Sequence, residues 1–191
     1  MINHNKKLIF IHVPKTAGNS VKPVFGMKGH FHGRAKWITQ AHPGYFSFAF
    51  VRNPWDRCVS AYHYLSQGGM GNTDERAYNR VVKPLGNTFD EVLNHPKFPE
   101  VAKRLVHFRP MCWYINAPVD FIGHVEHFDE DMKKLCELLN TERSLKLTYN
   151  PELKNNSSSH EHYTSYYTDK TKEIVANIYS EDIKLFNYNF V

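Results

Sequence analysis

Long hydrophobic runs are missing from this sequence. Its longest apolar stretches, such as Leu8–Ile11, are strand-sized, far short of the roughly 18 residues that a membrane-spanning helix needs, so no transmembrane segment is expected. Cysteine is scarce. Cys58, Cys112 and Cys136 are odd in number, widely spaced and form no CxxC pair. That excludes a disulfide scaffold and reads as the reduced core thiols of a cytoplasmic protein. HExxH and paired Cys/His spacings are also lacking, and His160-Glu161-His162 sits at i,i+2 in a Ser-rich stretch that reads as a solvated loop; no metal is expected. Acidic residues are the minority charge, 19 against 24 Lys and Arg, which leaves a net charge of +5. Such a balance suits a phosphate-bearing or polyanionic ligand, although ordinary domains are often as basic. The first seven residues run straight into a strand pattern, so no signal peptide is expected.

What is present suffices for a core: 191 residues, 41% apolar and 23% charged, read as a single domain over 1–191. Leu8–Val13 is a buried strand stopped by Pro14, and apolar Val21, Val24 and Phe25 place a helix from about Gly18. Tyr45–Val51 is a second strand. It ends at Arg52-Asn53-Pro54, with Asn53 as N-cap, Pro54 in the first turn and Asp56 as the acidic N3 residue. Two strand–loop–helix units with short loops predict an α/β fold with a central parallel sheet flanked by helices. Further along, Ser66–Asn72 reads as a flexible loop, Thr88–Glu91 as a capping box, and Pro99–Phe108 as a helix. Val119–Val125 reads as a third strand, Asp129–Leu139 as an amphipathic helix, and Asp169–Phe186 as one closing helix.

Two loops carry the chemistry. A strand that enters a small-residue loop and then a helix directs backbone N–H groups and the positive helix end at one spot, which suits a phosphate. Here the loop is Pro14-Lys15-Thr16-Ala17-Gly18-Asn19-Ser20. Lys15 adds a mobile cation, Gly18 permits close approach, and Thr16, Asn19 and Ser20 add side-chain donors. It is P-loop-like but is not GxxxxGK[ST], because the lysine precedes the glycine. Arg52 stands at the carboxyl end of the second strand, where open α/β sheets bind ligands, and its planar fork suits a phosphate monoester. Ser60, two turns on, could share that phosphate. Two readings stand for this pair: a phosphate site, or an Arg52–Asp56 salt bridge with Ser60 as a small packing residue.

The string Phe10-Ile-His-Val-Pro-Lys-Thr-Ala-Gly-Asn-Ser20, followed by Phe48-Ala-Phe-Val-Arg-Asn-Pro-Trp-Asp-Arg57 and Ser60-Ala-Tyr62, resembles the sulfotransferase family that includes the carbohydrate and heparan sulfate 2-O-sulfotransferases. Phe121-Ile-Gly123 with Glu126 is similar to that family's central strand, and Tyr166–Tyr188 to its C-terminal helix. The resemblance implies a sulfotransferase fold and the donor 3′-phosphoadenosine 5′-phosphosulfate (PAPS), leaving 3′-phosphoadenosine 5′-phosphate (PAP), with no metal. It implies that Lys15, Thr16, Ala17, Gly18, Asn19 and Ser20 hold the 5′-phosphosulfate, and that Arg52 with Ser60 holds the 3′-phosphate. Asn156, Ser158 and Tyr163, within a segment 150–168, match a stretch that closes over the nucleotide. Residues 66–118 are expected to build the acceptor side. Met111, after Arg109-Pro110, stands where the family often has glutamine.

Sulfuryl transfer, like phosphoryl transfer, is an in-line displacement that relies on positioning and charge stabilisation. Lys15 suits the departing phosphate. For the base, His32 is similar to the family's histidine after the first helix, and His30 resembles a second one two residues upstream; both remain candidates. His42 reads as a turn residue and His12 as a hydrogen-bonded core histidine. The expected reaction is sulfation of a hydroxyl acceptor, a glycan being the expected class. Two other classes stay open: a P-loop-type kinase, which would need Mg²⁺ and an acidic ligand at a strand end, and a non-catalytic polyanion binder. No aromatic-interleaved basic stripe marks a nucleic-acid partner, and nothing in the sequence speaks to oligomeric state.

Overall fold

The structure is a computed structural model that describes residues 1–153 and 161–191; Asn156, Ser158 and His160, singled out above, lie outside them. Among the described residues four strands form, β1 (Ile2–Asn3), β2 (Leu8–Ile11), β3 (Phe46–Val51) and β4 (Phe121–His124). The α-helices are α1 (Gly18–Val24), α2 (Ala35–Ala41), α3 (Pro54–Ser66), α4 (Asn72–Ala77), α5 (Phe89–Asn94), α6 (Phe98–Arg104), α7 (Met111–Tyr114), α8 (Phe128–Arg143), α9 (Asp169–Ile178) and α10 (Ser180–Phe186). The chain divides into two compact units, Met1–Arg52 with Met111–Asn156, and Asn53–Pro110 with Ser157–Val191.

The first unit holds the sheet, in the order β1-β2-β3-β4. β2, β3 and β4 are parallel, with Phe10 opposite Phe48 and Phe48 opposite Phe121. Every residue of β2 and β3 is buried, which is why both strands read as unbroken apolar runs rather than alternating ones. Phe10, Phe48 and Phe50 pack with Val21 and Phe25 and with Phe128, Met132, Leu135 and Leu139 of α8. Gly123 sits in β4 because a Cβ there would come within 2.4 Å of the Phe50 ring. The fold is α/β as expected, and a short edge strand makes the sheet mixed: β1 runs antiparallel to β2, Ile2 opposite Ile9. Two residues carry no periodicity, so the sequence held no sign of it.

The second unit is helical. α3 buries Trp55, Cys58, Val59, Tyr62 and Leu65 against Val82, Leu85, Phe89, Val92, Phe98, Phe108, Val175 and Tyr179. Its start is the expected cap: Asn53 Oδ1 accepts from Trp55 N–H at 3.1 Å, with Pro54 in the first turn. Arg57, 1% exposed, is a buried fastening. Its guanidinium donates to the carbonyls of His107, Phe108 and Arg109 at 3.2, 3.2 and 2.9 Å and lies over the Tyr179 ring.

Two expectations for this unit need correction. The glycine-rich stretch after α3 is a pinned turn, because the Asp74 carboxylate accepts from Tyr64 Oη at 2.6 Å and from Met70 N–H at 3.0 Å. The closing helix is two helices, broken at Tyr179, where φ is −108° and ψ 25°. Burying that ring and donating its hydroxyl to Phe108 O at 2.6 Å takes precedence over helical continuity. All three cysteines are free thiols, Cys58 and Cys136 buried. Among the described residues no helix is long and apolar enough to cross a membrane, and no His/Cys/Asp/Glu group of three or more gathers as a metal site.

Candidate functional site

In the first unit the chain leaves β2 through His12 and Val13, both buried, and turns at Pro14. Lys15 and Ala17 then take left-handed conformations, φ 68° and 58°. Each costs a residue bearing a side chain about 1–2 kcal/mol, and strain of this kind collects at ligand-binding loops. Left-handed residues set among others turn successive N–H groups to one side, as in anion-binding concavities. Among the described residues, the N–H groups of Thr16, Ala17, Gly18 and Asn19 have no acceptor on the protein. Those of Ser20 and Val21 both go to Ala17 O, at 2.9 and 3.2 Å. Thr16 departs from expectation: fully buried, it donates its hydroxyl to Val13 O at 2.9 Å, so it braces the loop instead of offering a donor outward.

Arg52 follows β3, the parallel neighbour of β2. Its Nη1 donates to the carbonyl of Lys15 at 3.3 Å. The two residues singled out from separate loops thus meet, with one guanidinium N–H holding the lysine-bearing turn. The first 52 residues contain eight Lys and Arg and no Asp or Glu, an excess of positive charge in this part of the sequence that suits an anion.

His32 lies on the extended segment ahead of α2. Its Nδ1 is 2.8 Å from the backbone carbonyl of His12, which can only accept. Nδ1 therefore carries the hydrogen and Nε2 has the lone pair, the tautomer required of a base acting through Nε2. Burial lowers the pKa of His32 below the ordinary imidazole value; the bond to His12 opposes this, while His30 and Lys22 add to it. At neutral pH the ring is an acceptor. His30 is exposed and differs: Lys22 Nζ donates to Gly29 O at 3.1 Å and is 3.3 Å from His30 Nδ1. An ammonium donating there leaves the hydrogen on His30 Nε2, a donor.

His12 is the residue the sequence reading undervalued. It is 6% exposed, yet its Nδ1 has no partner, so it is not the hydrogen-bonded core histidine expected. Its ring stacks on Phe10 and lies 4.3 Å, centroid to centroid, from that of His32. On its other side it fills the space beside Gly18, where a Cβ would come within 1.9 Å of His12 Nε2. Gly18 is thus required by this histidine. The imidazole joins the floor of the loop to the back of His32. Burial, with His32 and Lys22 nearby, pushes its pKa down to about 2, so it is a neutral spacer. The signal was available in the adjacency of His12 to Pro14-Lys15, but a histidine at a strand end carries no pattern that announces burial.

The remaining expected residues lie in the second unit or outside the described residues. Ser60 is 1% exposed on α3, and its Oγ has no hydrogen-bond partner among the described residues. A buried orphan hydroxyl is costly unless a ligand completes it. Tyr163 is buried with its hydroxyl engaged: it donates to Val191 O, and Asn53 Nδ2 and Val191 N–H donate to it at 3.4 and 3.0 Å.

The strained, lysine-bearing loop with unclaimed N–H groups, the arginine bonded to it and the histidine adjoining it thus gather where β2 and β3 of this α/β protein end. The chain belongs to the sulfotransferase family, which it matches over residues 1–189. It is also similar to an uncharacterised protein of Archaeoglobus fulgidus, 29% identical over 107 residues, 56% of this chain and 78% of that one. No solved structure matches it.

Proposed function

We propose that this chain moves the sulfuryl group of PAPS to a hydroxyl acceptor, with a carbohydrate as the acceptor class. The observation that carries this reading is the meeting of Arg52 with the Lys15 turn in a chain that belongs to the sulfotransferase family. The residues of the first unit fit a phosphate group: the loop offers unclaimed N–H groups, and the first 52 residues hold no carboxylate.

Lys15 and the N–H groups of residues 16–19 take the 5′-phosphosulfate. Arg52 takes the 3′-phosphate, and the family resemblance assigns Ser60 to the same group. Asn19 and Ser20 add side-chain donors, and Asn156 and Ser158 belong to the nucleotide-covering segment. Tyr163, its hydroxyl engaged, contributes there through its ring. His32 accepts the acceptor's hydroxyl proton at Nε2 as the oxygen attacks sulfur. Lys15 balances the charge that gathers on the departing phosphate as the sulfur–oxygen bond breaks, leaving PAP. His30, holding its hydrogen on Nε2, assists as a donor.

Calorimetry tests the donor half. PAP should bind at least tenfold more tightly than 5′-AMP, and Arg52→Ala should abolish that preference. Equal affinities for the two nucleotides would overturn the 3′-phosphate assignment. Mass spectrometry of glycan acceptors incubated with PAPS tests the transfer, with one added sulfate as the expected product.

A further inference from the structure

His12 is a polar side chain that the fold buries and leaves unanswered. It is 6% exposed, and among the described residues neither of its ring nitrogens has a hydrogen-bond partner. Its neighbours hold the ring in place: it lies against Phe10, with centroids 5.3 Å and planes 27° apart, and against His32 at 4.3 Å. An imidazole N–H without an acceptor in such surroundings is costly unless a ligand supplies one.

The orientation of the ring says where that ligand would sit. At Gly18 an added Cβ would come within 1.9 Å of His12 Nε2, against 2.4 Å for Cδ2 and 2.8 Å for Cε1, so the Nε2 tip leads toward the loop. Gly18 belongs to the run 16–19 whose backbone N–H groups are unclaimed. The other nitrogen, Nδ1, is shut off from solvent. Burial keeps the imidazole neutral, so one nitrogen carries a hydrogen and the other a lone pair. A hydrogen on Nδ1 would be sealed in with nothing to accept it. On Nε2 it faces the loop, and an oxyanion, which offers only lone pairs, selects that tautomer.

We propose that His12 is an anion-binding residue, its Nε2–H donating to the oxyanion held by the Lys15–Ser20 loop. It is the neutral partner of the loop's N–H groups and the Lys15 ammonium. This rests on the donor reading above and deepens it, since the anion is then the 5′-phosphosulfate of PAPS. The His12 carbonyl meanwhile accepts from His32 Nδ1 at 2.8 Å, so one residue meets the anion with its side chain and the base with its backbone. His12 recognises the donor; it takes no proton in the reaction.

Long-range proton–nitrogen NMR of the histidine-labelled wild type tests this without a substitution that could disturb folding. The His12 hydrogen should reside on Nε2, and that nitrogen's resonance should shift saturably when inorganic sulfate or PAP is added. Calorimetry then compares PAP with adenosine 3′-monophosphate, which lacks the 5′-phosphate, in wild type, His12→Leu and His12→Gln. His12→Leu should weaken PAP about ten- to a hundredfold and leave adenosine 3′-monophosphate within about twofold, because only PAP loses a bond to a charged group. His12→Gln, whose amide can donate from the place of Nε2, should recover most of that loss. A hydrogen on Nδ1 in the PAP complex, or a resonance that neither sulfate nor PAP moves, would overturn the proposal. So would equal losses for the two nucleotides in His12→Leu, since the ring would then be a packing residue only. Failure of PAP to bind wild type would instead strike the donor reading. Sulfate alone would then judge His12, a shift supporting the proposal and its absence overturning it.

Discussion

Replacing His32 by alanine removes the Nε2 acceptor but none of the loop's N–H groups. Turnover should fall by two to four orders of magnitude, while PAP affinity measured by calorimetry stays within about twofold. Because the ring's pKa is lowered from 6.5, the base form persists into mild acid. The acid limb of kcat/KM should accordingly have a midpoint below that value, and a midpoint above it would exclude His32 as the base. His12 governs stability. It is neutral in the folded state down to about pH 2, whereas an unfolded histidine gains a proton below about 6.5. The unfolded chain thus binds more protons as pH falls from 6.5, and this group's contribution is full above that pH and declines by about 1.4 kcal/mol per pH unit below it. Urea titrations of wild type and His12→Gln between pH 7.5 and 5 should show that much less loss in the variant. At Gly18 a methyl would strike the same ring. Gly18→Ala should cost about 1–3 kcal/mol, and pairing it with His12→Ser should recover most of the loss.

Among the elements, the strands and caps were the most legible. Leu8–Ile11 and Phe46–Val51 are apolar throughout because both faces are covered, and Asn53-Pro54 announces the start of α3 by side-chain chemistry that needs no tertiary context. Asn53→Ala should therefore lower stability by about 1 kcal/mol through the lost cap, and by more because Nδ2 also donates to Asn189 O at 2.8 Å. Asn53→Asp should keep the first contribution and lose the second, as a urea midpoint shift would show. What stayed hidden depends on distant partners. Tyr179 breaks the last helix to reach Phe108, 71 residues away, and Asp74 closes the glycine-rich turn from outside it. At the site, Lys15 and Arg52 were visible because strand ends are marked by composition. The Arg52–Lys15 contact, the inward commitment of Thr16 and the ring of His12 between Gly18 and His32 were not, since each is a matter of which side chain fills which gap.

For the whole molecule, a ligand that binds the folded chain alone must stabilise it. PAP at a hundred times its dissociation constant contributes about 2.7 kcal/mol, which for 191 residues should raise Tm by roughly 5–10 °C. Arg52→Ala should erase most of that rise in a thermal melt. The thiols report on the same integrity. Burial raises Cys58 to about 12 and Cys136 to about 11, so at neutral pH a thiol reagent should label Cys112 first and reach all three only in denaturant.

Arg57 has a different consequence. Its grip is on neutral carbonyls, not on carboxylates that acid would discharge. Acid and strong brine therefore find no partner carboxylate in that clasp to discharge or to screen. The backbone just ahead of Met111 should hold its shape where acid-sensitive contacts elsewhere give way.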